Sequence, residues 1–445
     1  DVVVFSPAKA TEKRPAFTYH VPEEVVGRIE IGSLVAVPLG TRRLYGVVVS
    51  LGDEPPPFET RPVHSLADPH PVLTPEQITL AGWMRDEYLA SLYECLELML
   101  PPGMVGHSDV RVAPIGKVDL EDANTEAQAQ LLRLLQRRGE LTGNQLDAAL
   151  GGTDWSAASR QLASRGVVTH ESFLAAPRAR PKLVEHIRLV PEIDLDEATK
   201  GLTSAYYPKI LDLLRLERTP VPVSWVYEET GCDRYHLKKL EERGAVAFSE
   251  REVWRDPLEG DVFVTTEPPP LTSDQKTVWG TIKRAIRGGA RPGPVRKSGA
   301  TSDRRQQPGA FLLHGVTGSG KTEVYLRAVA EVLRQGRKAI ILVPEISLTP
   351  QTVARFAGRF PDRVTVLHSA LTDGERYDTW RRARAGLVDV VIGPRSALFV
   401  PLAPLGLIVL DEEHDDSYKQ VAPRPRYHAR DTALQLGHLT GATVI

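Results

Sequence analysis

Residues 311–325, FLLHGVTGSGKTEVY, decide how this chain is read. The apolar opening, Phe311, Leu312 and Leu313, predicts a buried strand, and Val324, Leu326, Val329, Ala330 and Leu333 recur at helical spacing. Between them Gly315, Val316, Thr317, Gly318, Ser319, Gly320, Lys321 and Thr322 fit G-x-x-x-x-G-K-T, a turn whose backbone N–H groups cradle phosphates. Glycine lets the main chain approach an anion, and the following helix N-terminus adds the positive end of its dipole. In this chemistry Lys321 reaches the β- and γ-phosphates of ATP and Thr322 holds Mg²⁺. The plainer alternative is a glycine-rich strand-to-helix turn with no ligand.

A second element weighs against that alternative. The apolar residues 407–410 run into Asp411, Glu412, Glu413 and His414. A phosphate-loop ATPase needs one carboxylate at a neighbouring strand end for Mg²⁺ and another to orient water. Asp411 and Glu412 stand there, which makes Lys321, Asp411 and Glu412 the candidate catalytic residues and Thr322 and Asp411 the candidate metal ligands. Alone, the acidic string reads as a solvated turn; paired with the loop it reads as a nucleotide-hydrolysis site.

Working outward, strands are expected at 339–343, 364–367, 388–392 and 443–445, with helices at 349–360 and 373–385. This alternation predicts a parallel α/β sheet covered on both faces, with ligands at its C-terminal edge. Upstream of the loop, residues 288–309 are rich in Gly, Pro and Arg and read as an inserted loop, either bland or touching DNA phosphates.

The N-terminal 104 residues carry short β-branched runs at 2–5, 34–37 and 45–49. One helix is expected over 74–100, capped by Thr74 with Pro75 in its first turn. Residues 131–171 and 210–250 form an internal repeat in which Leu162 lines up with Leu240 and the Arg165-Gly166 turn with Arg243-Gly244. Each copy reads as three helices and a strand, the outline of a winged helix. The third helices carry Arg160 and Arg165 in one copy and Arg234, His236, Lys238, Lys239 and Arg243 in the other. These side chains either enter a DNA groove or form a solvated face.

With 445 residues, 42% hydrophobic and 25% charged, two to four soluble domains are expected. A net charge of −2 argues against a generally basic coat protein for nucleic acid. Two cysteines, Cys95 and Cys232, give neither a disulfide framework nor a metal spacing. With no membrane-length apolar run or signal peptide, the reading is cytoplasmic, without a membrane partner. The expected division is a β-rich domain (1–104), a region with two winged-helix units (105–265, units about 123–175 and 204–257) and an α/β lobe (266–445). The apolar run at 442–445 reads as a strand cut short.

The motif series HGVTGSGKTEVY (314–325), LVPEISLTPQ (342–351), LHSALTDGER (367–376), IGPRSALFVPL (392–402), DEEHDDSYKQ (411–420) and RYHARD (426–431) resembles the superfamily 2 helicases, most closely the primosomal replication-restart helicases of the PriA family. The resemblance implies an ATP-dependent 3′→5′ DNA helicase that recognises abandoned forks and initiates primosome assembly. It implies an N-terminal domain that captures a 3′ DNA end, with Phe17, Gly40 and Arg61 at its pocket positions. Thr18 occupies a position that is often acidic in that family. Gln275 resembles the adenine-reading glutamine, and residues 417–430 resemble the aromatic-rich loop that couples DNA contact to hydrolysis. There Tyr418 and Tyr427 offer stacking faces, Lys419, Arg424, Arg426 and Arg430 offer phosphate contacts, and His414 reports DNA binding. A surface excursion is the other reading of that loop. The partners implied are forked and single-stranded DNA, single-stranded DNA-binding protein, and helicase-loading proteins of the primosome. A second RecA-like lobe with an arginine finger, and a zinc-binding cysteine cluster, are expected beyond Ile445. These 445 residues are therefore expected to bind nucleotide and barely hydrolyse it.

Overall fold

The computed structural model describes residues 1–5, 16–40, 42–54, 56–105, 108–174, 179–191, 199–288, 309–316 and 318–445. The chain divides into a unit formed by residues 1–179 with 257–445, and a second unit, 180–256. Thr317 and nearly all of the basic insertion 288–309 lie outside the described residues.

The N-terminal sheet has the order β1-β4-β3-β6, from β1 (Val2–Val4), β3 (Leu34–Leu39), β4 (Arg42–Val48) and β6 (Ser65–Leu66). A separate parallel pair joins β2 (Tyr19–His20) to β5 (Arg61–Pro62). Because strand side chains alternate between faces, Val35, Val37 and Val48 enter one core and Leu34, Val47 and Val3 the other. Gly46 permits this packing, since a Cβ there would lie 2.5 Å from Val2 Cγ1.

The single helix expected over 74–100 is two helices. Helix α1 (Pro75–Tyr88) starts in a capping box of Thr74 and Gln77, with Pro75 in its first turn. It ends at Leu89, whose φ of 49° is left-handed. Ser91 and Glu94 then form a second capping box that starts α2 (Leu92–Glu97). The S-x-x-E spacing is a start signal that the apolar periodicity hid.

Two copies of strand–helix–strand–helix–helix–strand follow. The first comprises β7 (Ser108–Pro114), α3 (Glu126–Arg138), β8 (Leu141–Thr142), α4 (Gly143–Ala149), α5 (Trp155–Ser164) and β9 (Val168–Leu174). The second comprises β10 (Lys182–Leu189), α6 (Tyr206–Leu216), β11 (Val221–Pro222), α7 (Val223–Thr230), α8 (Arg234–Glu242) and β12 (Val246–Val253). Each repeat thus begins with a strand that lay outside the expected boundaries, paired antiparallel with its last strand. The Arg-Gly turns are left-handed helix ends: Gly166 and Gly244 have φ of 74° and 73°. Their flanking amides return to Leu162 and Leu240, the six-to-one bond of a Schellman cap.

Helix α9 (Ser273–Gly288) leads to the phosphate loop and α10 (Lys321–Arg334) follows it. The parallel sheet has the order β14-β15-β13-β16-β17, from β13 (Lys338–Leu342), β14 (Val364–Val366), β15 (Val390–Gly393), β16 (Leu405–Leu410) and β17 (Thr443–Val444). Its other helices are α11 (Pro350–Arg359), α12 (Asp373–Arg384) and α13 (Ala429–Thr440). Ile340, Leu342, Ile408 and Leu410 face one core, and Ala339, Ile341, Leu407 and Val409 the other.

The expectation of a buried strand at 311–313 is corrected. Only Ala310 bridges β17, through bonds linking Val444 to Gly309 and Phe311. Leu312 is 78% exposed. Its neighbour in the sheet is two residues long, so the ladder ends before the apolar run does.

Besides a core of its own, each of the N-terminal and α/β segments contributes to one shared core. Leu80, Met84, Leu96 and Met99 pack in one cluster with Leu398, Phe399, Tyr427 and Ala433. The buried Gln77 donates to the Phe399 carbonyl at 2.7 Å. Since an unsatisfied buried amide costs about 1–3 kcal/mol, that bond fixes where α1 lies on the lobe.

Candidate nucleotide site and nucleic-acid interface

The phosphate loop is shaped by backbone conformations that favour glycine. Gly318 and Gly320 have φ of 81° and 83°. A Cβ on Gly320 would lie 2.3 Å from Gln275 Nε2. Gln275 caps its own helix, accepting from the Thr272 amide at 3.0 Å, while its Nε2 donates to the Ser319 carbonyl at 2.9 Å. The candidate adenine reader therefore also braces the loop.

Lys321 Nζ donates to the Gly315 carbonyl at 2.8 Å and lies 3.8 Å from Glu412 Oε1. Its ammonium thus spans the mouth of the loop. Asp411 sits at the end of β16, with its amide bonded to the Leu342 carbonyl. Burial, then the charge of Glu412, pushes the Asp411 carboxyl above its usual value, against a bond from Tyr325 and the charge of Lys321. Glu412 has a φ of 51°, a strained conformation for a non-glycine residue. Thr322 is half-buried on the first turn of α10. A hydroxyl and two carboxylates are hard oxygen donors that suit Mg²⁺. Gly315, Gly318 and Gly320 bring no side chains of their own to the turn.

Around Asp411 the sequence reading missed Tyr325, and it gave Tyr418 a stacking role in place of a bond to Asp411. Tyr325, buried one turn along α10 from Lys321, bonds the Asp411 carboxylate, and burial raises its own pKa. Tyr418 donates from its hydroxyl to the Asp411 main-chain carbonyl at 2.7 Å. The four-residue spacing from Lys321 places Tyr325 on the same helix face; no local signal marks Tyr418 as its counterpart. A cavity of about 640 Å³ opens here, lined by Gly315, Lys321, Tyr325, Glu412, His414 and Arg430. His414 is exposed, 3.9 Å from Glu412.

The loop after Asp411 differs from expectation. Tyr418 and Tyr427 were expected to offer stacking faces, but they are 1% and 0% exposed. Tyr427 packs edge-on against Phe399, with ring centres 5.1 Å apart. Both rings belong to the core that joins the lobe to the N-terminal segment. The buried Gln420 closes the hairpin, donating from Nε2 to the carbonyls of Pro423 and Pro425 at 2.9 and 3.0 Å. Lys419, Arg424 and Arg426 are exposed, beside Val421 at the tip. Arg430 is also exposed but pairs with Asp431 at 3.1 Å and Glu413 at 3.5 Å.

In the N-terminal domain, Arg61 donates to the Gly40 carbonyl at 2.8 Å and pairs in register with Tyr19. Phe17 bridges Val2 at the edge of the same core. Phe17 thus lies just before β2, Gly40 follows β3 in the hairpin turn, and Arg61 opens β5. The Thr18 hydroxyl donates to the Asp1 carboxylate at 2.7 Å. In the second repeat, Arg234 forms a bidentate pair with Glu185, Lys239 pairs with Glu242, and Arg243 donates to the Lys200 carbonyl. In the first, Arg160 donates to the Ser156 carbonyl.

Fold and site define a chain that carries a nucleotide-binding helicase domain together with a DNA-binding domain. Residues 1–101 match the 3′DNA-binding domain (3′BD) family, and residues 303–439 match the DEAD/DEAH box helicase family. The chain is 34% identical over 430 residues to the replication restart protein PriA of Bacillus subtilis, covering 94% of this chain and 49% of that protein. With the protein of the same name from Synechocystis it shares 33% identity, covering 96% of this chain and 49% of the relative. A shorter match, 55% identical over 135 residues, links it to the Haemophilus influenzae protein of that name (30% of this chain, 18% of the relative). Over nearly all of its length the chain is similar to PriA replication restart proteins, and it spans about half the length of these two longer-matching relatives. A DEAD/DEAH domain uses ATP with Mg²⁺. Among the described residues, no helix is long and apolar enough to cross a membrane.

Proposed function

We propose that the protein is an ATP-dependent 3′→5′ DNA helicase that recognises stalled or abandoned replication forks and initiates replication restart by primosome assembly. The observation that carries this reading is a shared core: the nucleotide site and the 3′ DNA-binding domain pack on one hydrophobic cluster. Lys321 and the loop amides bind the phosphates of ATP, while Gln275 lies on the adenine side. Thr322 and Asp411 would hold Mg²⁺, which neutralises charge on the transferred phosphoryl group. Glu412 orients the attacking water, and His414 reports DNA binding. Phe17, Gly40 and Arg61 receive the 3′ end. Lys419, Arg424 and Arg426 contact phosphates, with Arg430 doing so once it leaves its carboxylates.

The two repeats act as winged-helix units beside the duplex arms of a fork, and the lobe is RecA-like. The protein partners on this reading are single-stranded DNA-binding protein and the helicase-loading proteins of a primosome, in the cytoplasm. The test is DNA-stimulated ATP hydrolysis by the full-length protein, with Lys321→Ala as control, on forks with and without a leading-strand 3′-hydroxyl. Turnover raised by the 3′ end and lost in the variant supports the reading. Fork binding with no turnover would replace it with a scaffold.

A further inference from the structure

The buried tyrosines of the 411–428 loop point to an unexpected listener. The loop is tied at one end to Asp411, whose carbonyl accepts from Tyr418 at 2.7 Å. Its return strand is tied to its outgoing strand, through the Gln420 amide on the Tyr427 carbonyl at 2.9 Å and the Lys419–His428 bridge. At the far end, the His428 amide donates to the Tyr88 hydroxyl at 3.4 Å, and Lys419 Nζ lies 5.5 Å from the centre of the Tyr88 ring. Tyr88 also bonds the Thr432 side chain of α13. Tyr88 is the last residue of α1, inside the segment that matches the 3′ DNA-binding family.

Helix α1 is itself held at both ends. Gln77 fixes its first turn to the lobe through the Phe399 carbonyl. Leu80 and Met84 pack it against Leu34 and Val47 of the N-terminal sheet. The hairpin of that sheet turns at Gly40, whose carbonyl Arg61 grips. A displacement of that sheet by DNA therefore meets one helix, then Tyr88, then a hairpin whose other end is bonded to the Asp411 main chain. The Gln77–Phe399 bond is buried, and the Tyr88–His428 and Tyr418–Asp411 bonds are half-buried, so little solvent is available at these three points to absorb the movement.

We infer that Tyr88 is a positioning residue, through which occupancy of the 3′ DNA-binding domain alters the nucleotide site at Asp411. The inference rests on the helicase reading, but it assigns the coupling to a protein contact, not to base stacking on Tyr418 and Tyr427. A coupling of this kind is a reciprocal change in affinity, typically 5–150-fold.

The experiment measures binding of a fluorescent ATP analogue with Mg²⁺ to the full chain. It is done alone and with DNA ending in a 3′-hydroxyl or a 3′-phosphate, for the unmodified chain, Tyr88→Phe and Tyr88→Ala. The 3′-hydroxyl DNA is expected to change nucleotide affinity at least fivefold in the unmodified chain. In Tyr88→Ala that factor should fall to within twofold of one. Nucleotide affinity without DNA should stay unchanged in both variants, and the melting temperature should fall more for Tyr88→Ala, which loses a half-buried ring packed on Trp83, than for Tyr88→Phe. Tyr88→Phe keeps the ring under Lys419 and loses the hydroxyl, so it should restore part of the factor. A factor retained in Tyr88→Ala would overturn the assignment. So would a factor of one in an unmodified chain that binds both ligands. Failure of the unmodified chain to bind nucleotide or DNA at all would instead overturn the helicase reading, and this inference with it.

Discussion

Two loops meet at the C-terminal edge of the parallel sheet, and sequence reads both as ligand-facing. The phosphate loop turns Lys321 outward, where it lines an open cavity facing Glu412. The loop from Asp411 to His428 turns its aromatic rings inward and leaves charged residues of both signs, with Val421, Ala422 and Pro423, outside. The first loop is open to solvent, whereas the second is packed, with a charged rim.

The largest effect separates the two directly. Truncating a buried ring costs about 3–5 kcal/mol, so Tyr427→Ala should lower the melting temperature by many degrees. Rings that stacked on DNA would instead leave melting unchanged and weaken DNA binding by about 1–3 kcal/mol per base. Calorimetry alongside DNA titration decides between them. On the cradle side, Lys321→Ala should leave melting within a degree or two. It should reduce DNA-stimulated hydrolysis about 10²–10³-fold, the usual loss when a fixed charge-stabilising group is removed.

Tyr325→Phe tests a buried support of the cradle. Losing an outer partner of a metal ligand costs about 10–100-fold in affinity, so the Mg²⁺ concentration needed for nucleotide binding should rise about tenfold, with little change in melting. The rim is tested by Lys419→Ala and Arg426→Ala. Each should weaken DNA binding uniformly across sequences and reduce the salt slope by about one. Arg430→Ala should do less, because its guanidinium is shared with Asp431 and Glu413.

The smallest effect is on pH. Mg²⁺ needs ionised Asp411, and burial together with Glu412 has raised that pKa from 3.8. On acidification, protons should therefore displace Mg²⁺-nucleotide at a higher pH than an ordinary aspartate would allow. Glu412→Gln, which removes a neighbouring negative charge, should move that limb toward lower pH. A pH titration of nucleotide affinity reads both.

Much of this was legible in the chain. The alternating β-branched runs marked the parallel strands β13 to β16 to within a few residues, because a strand buried on both faces has no polar side. The Gly and Lys spacing marked the phosphate loop, because that backbone excludes Cβ atoms where the chain turns at Gly320. The repeat was legible from Leu162 and Leu240 and from two Arg-Gly turns, each needing a left-handed residue. The leading strands β7 and β10 were not legible, since a strand shows itself by its partner and their long partners, β9 and β12, lie more than fifty residues away. The break in the first helix was written as Ser91 and Glu94, but only next to a left-handed Leu89 does it end one helix and start another.

By itself the sequence determined the local chemistry: which turn can approach a phosphate, which residues can hold a metal, and which helices carry their own caps. Those properties depend on backbone freedom and side-chain type within a few residues. Tertiary structure alone decided which aromatic rings are available to a ligand. Tyr418 and Tyr427 lie in a basic, polar string that reads as surface. They are buried because α1, some 330 residues earlier, supplies the apolar face that covers them. Burial depends on all the surfaces that meet at a point, and only the folded chain brings Tyr88, Phe399 and Tyr427 to the same one.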